Sequence, residues 1–172
     1  MKIHIIGGAG SGKTYLAALL SKQFAVPHYD LDDIYWDNGA GVYGVKASET
    51  QRDSRLNEMI SQNGWIVEGV YCKTWVNPSL AAADKIVVLI PPVAEQEERI
   101  LKRYEARLTG AETSTKRETP ETIRRLLEWN KDYNLHKLPR FIEQCEYKEK
   151  IITASYNLDV PELLSTKPSG RS

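Results

Sequence analysis

The sequence predicts an α/β protein of three layers, α/β/α, built on a five-stranded parallel sheet. Three observations carry that reading. Short apolar β-type runs alternate with longer helical patterns along nearly the whole chain, the order that gives parallel strands joined by crossover helices. Several of those runs are apolar throughout, as strands covered on both faces are. The first run passes into the first helical pattern through a glycine-rich turn, Gly7 to Thr14. At 172 residues the chain suits a single domain that buries roughly 70% of its unfolded surface. That domain is expected over residues 1–164, with a flexible tail at 165–172.

In chain order, Lys2–Ile6 is the first strand and Thr14–Phe24 the first helix. His28–Asp30 follows as a strand, Ser48–Gln62 as a helix and Trp65–Val67 as the third strand. Lys85–Ile90 is the fourth strand and Val93–Thr109 the third helix. Gly110–Glu118, rich in Gly, Thr, Ser and charge, is a loop, and a lid is expected at about 109–119. Thr119-Pro120-Glu121 opens the fourth helix, Pro120–His136, with Thr as N-cap and Pro in the first turn. Ile151–Thr153 is the fifth strand, and Ser165–Ser172 is a polar, frayed end.

Gly7-Gly8-Ala9-Gly10-Ser11-Gly12-Lys13-Thr14 matches G-x-x-x-x-G-K-[ST] in full and sits between a strand and a helix, the context that makes it a phosphate-binding loop. Glycines let backbone N–H groups close around an anion, and the helix N-terminus adds open donors and partial positive charge. Lys13 is expected on the β- and γ-phosphates and Thr14 in a Mg²⁺ shell. The expected ligands are therefore ATP, or another nucleoside triphosphate, and Mg²⁺.

Arg99, Arg103 and Arg107 recur every four residues and share one helix face. Arg117 follows in the loop, and Arg124 and Arg125 stand on the next helix. Arginine forks neutralise the charge that phosphoryl transfer spreads over oxygen. Arg103, Arg107, Arg117 and Arg124 bracket the expected lid and are the phosphate candidates, whereas Arg99 can pair with Glu95 on a solvated face. Asp30-Leu31-Asp32-Asp33 ends the second strand, where ligands bind in parallel sheets. Asp32, and after it Asp30, could hold a Mg²⁺-bound water or take a hydroxyl proton, and Asp33 could cap a following turn. Glu68 ends the third strand, and would lie beside the phosphate loop if that strand neighbours the first. Thr14, Asp32 and Glu68 are thus the metal candidates. Seven aromatics fall between Tyr29 and Trp75: Tyr29, Tyr35, Trp36, Tyr43, Trp65, Tyr71 and Trp75. Tyr35, Trp36 and Tyr43 lie in a Gly-rich stretch ill suited to a core, and could stack on an acceptor.

The 23 basic and 23 acidic residues balance, so no global field draws the chain to nucleic acid or membrane. Cys72 and Cys145 stand alone and are expected as reduced thiols. No apolar run reaches the roughly 20 residues of a membrane span. The N-terminus enters the first strand directly, so no signal peptide is expected. A cytoplasmic monomer or weak dimer is expected.

With these residues in place the chain resembles the adenylate-kinase-like P-loop kinases. Gly64-Trp65-Ile66-Val67-Glu68-Gly69-Val70-Tyr71 is similar to that family's glycine–apolar–acid–glycine–aromatic signature, with Glu for the usual Asp. Lys116 to Arg125 resembles its post-lid region. A closer likeness is to the DNA topology modulation proteins, an adenylate-kinase-related group, through Leu31-Asp32-Asp33-Ile34-Tyr35-Trp36, Glu68-Gly69-Val70-Tyr71 and Ala83-Asp84. The resemblance runs to about residue 153 and implies a P-loop NTPase fold and an ATP-dependent phosphotransferase. The departures are Pro91 where an Asp commonly ends strand four, Val70 for Asn, and a lid without cysteines, which excludes a zinc staple. Kinases of nucleoside monophosphates also grip the acceptor with an arginine near strand two. Here three aspartates stand there, similar to the Asp-x-Asp of shikimate-type kinases, and Arg52 and Arg55 come only later. A small-molecule hydroxyl acceptor is therefore expected rather than a monophosphate. The other readings are a nucleotide-dependent, DNA-associated regulator of the topology-modulation type and an NTP-hydrolysing switch.

Overall fold

The computed structural model describes residues 1–37, 39–40, 44–111 and 118–165. Five strands, β1 (Lys2–Gly7), β2 (His28–Asp30), β3 (Trp65–Gly69), β4 (Lys85–Leu89) and β5 (Ile151–Ala154), form one sheet in the order β2-β3-β1-β4-β5, parallel throughout. Alternate side chains along each strand go to opposite faces. Ile3 and Ile5 of β1 join Val87 and Leu89 of β4 in one buried cluster, with Leu16, Ala17 and Leu20. Ile6, Ile86 and Val88 join Trp65, Val67, Leu80 and Leu138 in the other. Both faces are covered, so the sheet is the middle of three layers, as expected.

Helix α1 (Lys13–Phe24) lies with α8 (Val160–Ser165) on the first face. The opposite face carries α2 (Asp32–Tyr35), α3 (Glu49–Ile60) and α4 (Asn77–Ala82). Helices α5 (Val93–Leu108) and α6 (Pro120–Asp132) flank the segment that contains residues 112–117. The capping box expected at the start of α6 is present: the Thr119 side chain accepts from the Thr122 N–H, and the Thr122 hydroxyl accepts from the Thr119 N–H.

The fourth helix does not stop at His136. After α6 the backbone takes one π-helical turn, Tyr133–Lys137, and continues as α7 (Leu138–Gln144). Pro139 has no N–H to give Leu135, and the wider turn absorbs that missing bond, with the Leu138 N–H donating to the Tyr133 carbonyl. One helical rod thus runs from Pro120 to Gln144. No helix among the described residues is long and apolar enough to cross a membrane. The thiols of Cys72 and Cys145 are free, the first half-buried and the second buried.

Candidate active site

The sheet register assembles the site. β3 does neighbour β1, with Ile5 opposite Glu68, and β2 lies beyond it with Asp30 opposite Glu68. The carboxyl ends of the three strands therefore bring together the glycine loop, Glu68 and the aspartate run.

Gly10 and Gly12 adopt φ of 72° and 89°, and an added Cβ on Gly10 would stand 2.5 Å from the Gln96 carbonyl oxygen. The Lys13 ammonium folds back toward the Gly8 carbonyl at 3.4 Å. Behind the loop sits an amide cluster that sequence reasoning missed. Asn130 Oδ1 accepts the Ala9 N–H at 2.7 Å. Asn130 Nδ2 and Asn134 Nδ2 each donate to Gln96 Oε1 at 3.1 Å, and Gln96 Nε2 donates to the Pro91 carbonyl at 2.9 Å. Gln96 and Asn130 are fully buried. The available signal was Asn130 at an apolar position of α6, seven residues after buried Ile123. Arg99 pairs with Glu95 but is more than a solvated side chain. Its Nη1 also donates to the Gly10 carbonyl at 3.1 Å, so Arg99 braces the loop.

Glu68 is buried, not an exposed strand-end acid. Its Oε1 accepts the Thr14 hydroxyl at 2.5 Å. Oε2 is buried with no partner among the described residues. Burial pushes the Glu68 carboxyl up to about 7, against the pull of Lys13 and with the push of Asp30. Asp30 Oδ1 accepts the Asp32 N–H at 2.8 Å, capping the start of α2, and burial raises its pKa as well. Asp32 Oδ1 accepts the Tyr71 hydroxyl at 2.5 Å, while Asp33 is exposed in the first turn of α2. Among the described residues no three acidic, Cys or His side chains gather closely enough to cage a metal ion.

Thr14, Asp30, Asp32 and Tyr71 open on one cleft of about 1060 Å³, at the upper end of small-molecule sites. Lys13, Thr14, Asp30, Asp32, Arg103 and Arg107 line it. Arg107 is ion-paired with Glu118, which also lines the cleft. Arg124 is not in the lining. It is exposed, next to buried Ile123, and with Arg125 it pairs with Glu121. Arg117, Tyr43 and the core of the expected lid lie outside the described residues.

The aromatic run divides. Trp65 is fully buried core. The Tyr29 hydroxyl accepts from Gln62 at 2.6 Å. Tyr35, Trp36 and Tyr71 line the cleft. Tyr35 packs on Tyr71 with ring centroids 4.6 Å apart, and Trp75 backs both. Sequence reasoning missed the other wall, where Trp129 and Tyr133 stack at 5.1 Å and Phe141 follows. It also missed four cations in the lining: Lys46, Lys73, Lys137 and Arg140.

A glycine loop with Lys and Thr, facing acids at neighbouring strand ends on this sheet order, defines the P-loop kinase fold. Solved structures agree on the fold. A gluconokinase from Sinorhizobium meliloti 1021 superposes with a TM-score of 0.57 at 14% identity, over 94% of this chain and 87% of its own. A shikimate kinase from Bacteroides thetaiotaomicron gives 0.60 at 18% identity, over 96% and 99%. In sequence the chain is 25% identical over 152 residues to an adenylate kinase from Thermosynechococcus vestitus, covering 74% of this chain and 77% of that protein. It is 30% identical over 133 residues to the uncharacterized protein YqaC of Bacillus subtilis, covering 77% of this chain and 72% of YqaC, and it belongs to the YqaC family. No family model matches it.

Proposed function

We propose that this protein is an ATP- and Mg²⁺-dependent kinase of a small molecule, with residues 1–164 as one kinase domain and a hydroxyl as acceptor. The observation that carries the reading is the Thr14–Glu68 hydrogen bond on the same cleft as Lys13 and Asp32. Because the Thr14 hydroxyl donates to Glu68, its lone pairs are left for a cation. The buried, unpartnered Glu68 Oε2 and the nearby Asp32 supply negative charge without caging the ion. That donor set fits Mg²⁺, which keeps waters and phosphate oxygens in its own shell. Thr14 would hold the ion, with Glu68 and Asp32 around its waters. When bound, it would neutralise charge on the phosphates.

The chain's own residues divide the remaining work. Gly7 to Thr14 cradle the triphosphate through backbone N–H groups, and Lys13, Arg103 and Arg107 offset charge on the transferred group. Asp32, fixed by Tyr71 on one oxygen, uses the other to accept the acceptor's proton. The acceptor oxygen forms the new bond to the γ-phosphorus, the bond from that phosphorus to the bridging oxygen breaks, and the nucleoside diphosphate leaves. Three named kinases among the proteins similar to this chain support the reading. Cations gathered in a cleft of small-molecule size favour it over a DNA-associated regulator or a switch. The test is acceptor-dependent ADP release across neutral, carboxylated and phosphorylated hydroxyl compounds. Lys13→Ala should abolish it, and turnover retained in that variant would refute the assignment.

A further inference from the structure

The chain carries no net charge, yet its cleft does. Among the described residues, seven Lys and Arg side chains line it against three carboxylates, Asp30, Asp32 and Glu118. Lys13, Arg103 and Arg107 belong to the triphosphate, and Glu118 is spent on Arg107. Lys46, Lys73, Lys137 and Arg140 have no such duty. Contacts place Lys46 and Lys137, and the cleft lining places Lys73 and Arg140. From Asp32 one wall runs through the Tyr71 hydroxyl to the Tyr35 ring, with the Lys46 ammonium 5.7 Å from that ring's centroid. The other runs from Cys72, whose Sγ lies 3.4 Å from the Tyr133 hydroxyl, along the helical rod to Lys137 and Arg140. Across the π turn at Tyr133–Lys137, Trp129 from α6 and Tyr133 from the turn itself line the same cleft as Arg140 and Phe141 from α7. Among the described residues Asp132 is the one carboxylate paired with any of the four, and it holds Lys137 at 3.2 Å from outside the cleft lining.

We infer that the acceptor is an anion. Its hydroxyl meets Asp32, its apolar body lies between the Tyr35–Tyr71 and Trp129–Tyr133 walls, and its carboxylate or phosphate is held by Lys73, Lys137 and Arg140, with Lys46 at the edge. The inference rests on the kinase reading for the hydroxyl end alone. An acidic end beside the phosphate loop and a basic end beyond the aromatics make a polar site that orients such a molecule. The aspartate run therefore repels an anionic group only at the reacting end.

Binding to the full-length chain, read by ligand-observed NMR, tests this with benzoate, phenyl phosphate, benzyl alcohol and benzylamine, in the presence and absence of Mg²⁺ and a non-hydrolysable ATP analogue. The anions should bind about tenfold or more tighter than the other two, the gain of one charge-assisted contact. The double variant Lys73→Glu, Arg140→Glu should abolish that preference and keep its affinity for the analogue. Arg124→Glu, Arg125→Glu makes the same change in net charge outside the cleft and should leave the preference intact. Benzoate against phenyl phosphate separates a carboxylate from a phosphate source. Equal or tighter binding of benzyl alcohol or benzylamine, displacement of the anions by the analogue, or equal losses in both double variants would overturn the inference. Failure of the analogue to bind would sink the kinase reading instead, and the anion preference measured without it would still decide this one. In turnover, para-hydroxymethylbenzoate should outperform benzyl alcohol as an acceptor.

Discussion

Asn130 Oδ1 accepts the backbone N–H of Ala9 at 2.7 Å across 121 residues of sequence, so α6 holds the phosphate loop directly. Asn130 in turn donates to Gln96, whose other amide atom anchors on Pro91 at the end of β4. The segment after β4, which carries no acid at Pro91, is thus tied to the phosphate loop by neutral amides.

Asn130→Ala should therefore be costly. It strands the Ala9 N–H and leaves Gln96 Oε1 one donor short, in a place where Asn130 itself is fully buried. An unpaired buried donor costs roughly 1–3 kcal/mol, and the loss should appear in urea unfolding. A loosened loop should also raise the KM for ATP more than it lowers kcat. An unchanged midpoint would mean that solvent takes over the Asn130 contacts.

Gly10→Ala and Gly110→Ala separate two penalties. Both glycines have positive φ, 72° and 74°. Among the described residues a Cβ at Gly110 meets nothing within 4 Å, whereas one at Gly10 stands 2.5 Å from the Gln96 carbonyl. Gly110→Ala should cost about 1 kcal/mol, the left-handed backbone penalty alone. Gly10→Ala should cost about 2–4 kcal/mol, since a backbone oxygen must move as well. Equal losses in urea unfolding would show that the close contact at Gly10 relaxes without cost.

The layers, the five strands and the phosphate loop were legible because they rest on local signals: apolar runs, a Thr-Pro helix start and a fixed glycine spacing. What the sequence hid depends on register and distance. Glu68 became a buried partner of Thr14 only once β3 paired with β1. Asn130 is 121 residues from Ala9, and one amide in a helix carries no mark of what it will touch. From sequence the helix is expected to end at His136, because the π turn that carries the rod past Pro139 has no sequence pattern of its own. Arg124 is the opposite case: it lies close along the chain to the expected lid, yet its side chain is exposed and paired with Glu121, because position along the chain does not fix which way a helix face points.

Glu68→Gln keeps an oxygen for the Thr14 hydroxyl and removes the charge. If Glu68 lies around the waters of a Thr14-bound ion, the Mg²⁺ concentration for half-maximal turnover should rise about tenfold, as for other outer-shell partners. Fold stability should hold or improve, because a buried carboxylate is removed. A Mg²⁺ requirement that does not move would remove Glu68 from the cation's surroundings.

His4 gives the fold an acid limit. It is fully buried in the centre of β1, with Nδ1 2.9 Å from the Ser79 hydroxyl, and that hydroxyl donates to the Val76 carbonyl. Nδ1–H is therefore the donor, and Nε2 is buried without a partner among the described residues. Burial lowers the His4 pKa from 6.5 to about 3. Between those values the unfolded chain binds the proton and the native one does not, so stability falls as pH drops below about 6.5. From neutral pH to about pH 5 the loss from this group is on the order of 2 kcal/mol. Glu68 acts with opposite sign. Raised to about 7, it is protonated in the native state first, and its contribution falls as pH rises from 4.5 toward 7. His4→Leu leaves the Ser79–Val76 bond in place and should flatten the acid limb of a thermal-unfolding pH series. With that limb gone, the nucleotide-free variant should lose stability from about pH 5 to 7 as Glu68 ionises. If His4→Leu follows the wild-type pH profile, another buried group sets the acid limit.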